Sequence, residues 1–178
     1  MYKQVARRPD WIKAPNVGDI YSLSGCVSKD FADYINFWRH NGYWLFDSPR
    51  IIEEIALANS IPLDGLSLFY YEAHEEQYDA DDCVWTPFAP EQSFETNIEI
   101  PQSKTLQGFD VTTFLVQTSP ECSPLSCNSL AEGVATNEHC LLATFDEAQE
   151  LVEKGVFTDA EPGPYRIIAV YTVERNSV

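Results

Sequence analysis

The apolar residues of this chain recur in two rhythms, one of period 3.6 and one of period two, and the alternation between them predicts its elements. Asp30 as an N-cap, Phe31, Tyr34, Ile35 and Trp38 at i, i+3, i+4 and i+7, and Asn41-Gly42 as a left-handed stop predict one helix. Ser48 followed by Pro49 opens a second, because proline at the first helical position lacks only an N–H that would have no partner there anyway. Ile51, Ile52 and Ile55 give it a buried face. Thr144 with Glu147 three residues on forms a capping box for a third helix, whose stripe is Phe145, Ala148, Leu151 and Val152 and whose stop is Gly155.

Strand patterns fall between these helices. Short runs at 19–25, 65–71 and 83–86 are rich in β-branched and aromatic residues, and 94–100 alternates apolar with polar positions as a half-exposed strand does. The runs 108–117 and 165–173 are apolar on both faces, the mark of interior strands. His139 to Ala143 reads as one more short strand, so that strand, helix and strand from 139 to 173 predict a crossover unit contributing one parallel pair. The first 18 residues, broken by Pro9 and Pro15, read as an extended N-terminal arm. The sum is a single α+β domain over residues 1–178, a mixed and mainly antiparallel sheet with about three helices and a C-terminal strand-helix-strand unit.

Composition narrows what such a domain does. With 44% hydrophobic residues the chain has enough apolar surface to offset the entropy of ordering, so disorder is excluded. No apolar run approaches the roughly 18 residues of a membrane span, and the opening MYKQVARRPDW has no apolar stretch of the signal-peptide kind, which predicts a cytoplasmic protein without membrane contact. The net charge is −17, and it is localised: from Ile51 to Tyr165 there are 22 acids against only Lys104 and Lys154. Such a field repels nucleic-acid phosphates and attracts basic proteins, so the expected partner is a basic protein and direct nucleic-acid binding is disfavoured.

Three groups of residues are candidates for function. Glu72, Glu75, Glu76, Asp79, Asp81 and Asp82 lie within eleven residues together with His74, and this acidic stretch is expected to be a solvated loop offering a partner-binding surface. It has neither the turn glycine nor the closing glutamate of a calcium loop. The second group is the cysteine stretch from Thr118 to Cys140. A nucleophile reading pairs Cys127 with His139 or His74, oriented by Asn128 or Asn137. A zinc reading uses Cys122, Cys127, His139 and Cys140, but adjacent residues on a strand point to opposite faces. A third reading is a small Cys122–Cys127 disulfide or plain packing, and a short helix at 127–132 would give the irregular stretch some order. The last group is aromatic: Tyr43, Trp44, Phe46 and Trp85 could line a small-ligand pocket. There is no glycine-rich phosphate loop, no Gly-x-Ser-x-Gly elbow and no His-Glu-x-x-His pair, and neither a cofactor nor a metal is expected. The leading expectation is a non-enzymatic acidic protein that neutralises a basic partner, as an immunity protein does its toxin; a cysteine-dependent enzyme and a small-ligand module are the alternatives.

Overall fold

The strand at the centre of the sheet, 165–173, is rich in apolar residues on both faces, and the topology shows why. The computed structural model describes residues 2–3, 5–23, 45–88, 97–113 and 122–174. In chain order they form β1 (Tyr2–Lys3), β2 (Ala6–Arg7), β3 (Asp19–Ile20), α1 (Pro49–Asn59), β4 (Ser67–Ala73), β5 (Glu76–Asp79), β6 (Val84–Pro87) and β7 (Lys104–Thr113). Then come the single-turn α2 (Pro124–Cys127), a 3-10 turn at Leu130–Glu132, α3 (Phe145–Glu153) and β8 (Tyr165–Val173). The helix expected from Asp30, the strand end at 114–117, Tyr43 and Trp44 lie outside the described residues.

β8 is the axis. It pairs antiparallel with β7 along its whole length, from Lys104↔Val173 to Thr113↔Tyr165, and on its other edge with β4 at Phe69↔Thr172 to Ala73↔Ile168. β5 continues that second edge at Tyr78↔Tyr165, and β6 closes a hairpin outside it. β1 pairs with the start of β4, and β2 with β3 forms a separate small ladder. The result is the expected α+β domain with an antiparallel sheet and about three helices. Ile167 enters one apolar cluster with Val111, Val152 and Phe157, while Ile168 and Val170 enter another with Phe69, Tyr71 and Leu141. Burying each such side chain contributes about 1.5–3 kcal/mol.

The helices start as the sequence patterns require. α3 is capped by Thr144, whose side chain accepts from the Glu147 N–H at 3.1 Å, while Glu147 Oε2 accepts from the Ala143 N–H at 3.1 Å. Ala148 and Val152 are its buried stripe. α1 has Ser48 at the N-cap and Pro49 at the first position, buries Ile52 and Ala56, and ends at Ser60 in the left-handed region (φ 56°). None of the described helices is long and apolar enough to cross a membrane.

Four expectations are corrected. No parallel pair forms among the described residues: the 139–143 segment contributes only one antiparallel bridge, Phe109↔Leu142. Cys140 sits at φ 62° and the Asn137 carbonyl oxygen Oδ1 accepts from the N–H groups of His139 and Leu141, which together draw this segment into a turn. The N-terminal arm is not extended throughout: it turns at 10–11 and 15–16 and packs on the domain. Ile12, Ala14 and Val17 are buried, Arg8 Nε donates to the Val17 carbonyl at 2.9 Å, and the Gly18 N–H donates to the Glu138 carbonyl at 2.9 Å. Residues 97–100 pair with no strand; instead the Asn97 N–H donates to Asp47 Oδ2 and the Glu99 N–H to the Asp47 carbonyl. Finally, the acidic stretch is not one loop, because β5 runs through it.

Candidate functional site

The acidic residues are positioned by the β5–β6 hairpin. Tyr78 and Trp85 face each other across it with ring centroids 5.2 Å apart, and Tyr78 is buried against the core. That single apolar pair fixes the register, because a one-residue slip would turn Tyr78 to solvent. Asp79 Oδ1 accepts from the N–H groups of Asp81 (3.0 Å) and Asp82 (3.2 Å), an Asx turn that shapes the tip, and Cys83 completes it at φ 52°. Asp81 and Asp82 are exposed on that turn.

The other acids lie back along the same edge. Glu75 is exposed where β4 passes into β5, and its carbonyl accepts from the Phe88 N–H. Glu76 lies 3.7 Å from His74 Nε2, whose ring sits against Phe145 and Trp85. Glu72 is engaged by a lysine: Lys104 Nζ is 3.0 Å from it and 4.2 Å from the ring centroids of both Tyr70 and Tyr171. Asp79, Asp81 and Asp82 thus share the hairpin tip, while Glu72 lies on β4, Glu75 at the passage from β4 to β5 and Glu76 at the start of β5.

Two features around the hairpin were not legible beforehand. Glu153, at the end of α3, accepts from Trp85 Nε1 at 2.8 Å and from Gln149, and these bonds hold its carboxyl below the usual range. A side chain at Gly163 would come within 3.2 Å of Ala80 Cβ, so the 161–164 turn lies against the hairpin tip and brings Glu161 to the same end of the molecule. Only the count of acids pointed to these residues; their placement comes from tertiary contacts 60 or more residues apart in sequence.

Of the aromatic candidates, the two described ones, Phe46 and Trp85, are not brought together. Phe46 is buried beside α1 and Leu68, whereas Trp85 lies on β6 among Tyr78, His74 and Glu153. Phe46 does line a cavity of about 240 Å³ at the β4 edge, which Trp85 does not line.

In the cysteine stretch the short helix expected at 127–132 does not form as such: a single α-helical turn lies earlier, at Pro124–Cys127, and only a 3-10 turn at Leu130–Glu132 falls in the expected range. No disulfide joins Cys83, Cys122, Cys127 and Cys140, so the small Cys122–Cys127 bridge is absent. Burial pushes the Cys140 thiol up to about 12, with the charge of Asp110 and the neighbouring Cys127 adding to it. The His139 ring stacks on Tyr21 (centroids 3.9 Å apart, 6° between planes), with Nε2 3.8 Å from Glu138. That imidazole is thus taken up by a ring and a carboxylate, and the thiol next to it in sequence is held protonated. Among the described residues no group of three or more His, Cys, Asp or Glu is placed to hold a metal ion. The nearby Asp110 is wholly buried and accepts from the hydroxyls of Ser22 and Ser123, each at 2.6 Å, joining the segment after β3 to β7 and to the start of α2. It is a structural tie. No family model, curated protein or solved structure matches this chain.

Proposed function

We propose that this chain is a non-enzymatic acidic binding protein that neutralises a basic protein partner in the cytoplasm, in the manner of an immunity protein bound to a toxin. The observation that carries the reading is the imbalance of charge at the hairpin. Lys104 and Lys154, the only lysines or arginines between residues 51 and 165, are engaged within the chain by Glu72 and Glu150. Glu75, Asp81 and Asp82 are exposed, the last two on the hairpin tip with Asp79. The like charges at the tip repel one another, and a basic surface docking on them relieves that cost.

The hairpin is a suitable platform because its register is pinned by the Tyr78–Trp85 pair and its tip by the Asp79 turn. A docked partner gains from acids already held in place, with little ordering entropy left to lose. Complementary charge of this kind accelerates encounter more than it deepens affinity. The test is the association rate with the basic partner across ionic strength. It is expected to fall steeply with salt, and to fall at least about tenfold at low salt in E75K/D81K/D82K. A rate indifferent to both changes overturns the reading.

A further inference from the structure

We draw no further inference here: the strongest candidate, the shallow groove over the middle of the sheet beside the start of α3, lined by Glu72, His74, Phe109, Phe145, Ala169 and Tyr171, is a half-buried aromatic face, and nothing in the structure shows what covers it.

Discussion

Replacing Ser123 with alanine removes one of the two hydroxyls that hold the buried Asp110, and the structure allows the cost to be worked out. Both Asp110 oxygens accept short bonds of 2.6 Å, and Asp110, Ser22 and Ser123 are at most 1% exposed, so water cannot replace a lost donor. A hydrogen bond to a charged group contributes about 1.5–3 kcal/mol, and S123A is expected to cost that much. D110A strands both hydroxyls and leaves a small void, for about 3–5 kcal/mol, a large share of the roughly 5–15 kcal/mol that keeps a domain folded. D110N keeps the shape, and a hydroxyl can accept from the new amide, so it should cost less than D110A. Urea unfolding followed by tryptophan fluorescence reads these as shifts of midpoint at constant slope. The decisive figure is the coupling: S123A should cost at least about 1 kcal/mol less in the D110A background than in the wild type. Additive effects would refute the claim that Asp110 ties these segments together.

Three further outcomes follow from named contacts. Gly108 lies in a bulge at φ 144°, and a Cβ there would sit 2.6 Å from the Leu142 carbonyl oxygen and 2.8 Å from Leu141 Cβ, so G108A is expected to lower stability by more than about 2 kcal/mol in the same urea assay. K104M frees the Glu72 charge while keeping much of the packing on Tyr70 and Tyr171, so it should cost at most about 1 kcal/mol and raise the association rate with a basic partner; a slower rate counts against Glu72 as part of the docking surface. Cys140 has its thiol raised from the ordinary 9.0 to about 12 in the folded chain, so the unfolded chain loses that proton first. The stability it contributes is complete below pH 9.0 and is lost as the pH climbs towards about 12. Tyr21 and Tyr165, raised by burial, act in the same sense, and C140A is expected to show a shallower alkaline decline than the wild type.

The elements that could be read in advance are those whose own residues carry the signal. α3 states its cap in Thr144 and Glu147 and its stop in Gly155; β8 states its central place by being apolar on both faces. The strand at 84–87 was legible, but β5 and its pairing were not, because Gln77, Tyr78 and Asp79 offer one apolar residue to alternate and the pairing depends on Trp85 and on the long-range bond to Glu153. The segment at His139 has a strand's composition, yet the side chain of Asn137 captures its backbone, and composition does not report such a capture. The buried N-terminus was hidden for a similar reason. Ile12, Ala14 and Val17 keep no strict period, and what buries them is the Arg8 guanidinium satisfying the carbonyls of Ile12 and Val17. Charge was legible as an amount and not as a surface, so the acids of residues 72–82 were found while Glu153 and Glu161 were not.

The most direct measurement is capture from the native host's lysate with the wild-type chain and E75K/D81K/D82K as parallel baits, at low and moderately high salt, read by quantitative mass spectrometry. The account expects one basic protein enriched by the wild type at low salt, depleted at high salt and depleted on the charge-reversed bait. A partner that is not basic, or one held equally by both baits at both salt concentrations, would contradict it.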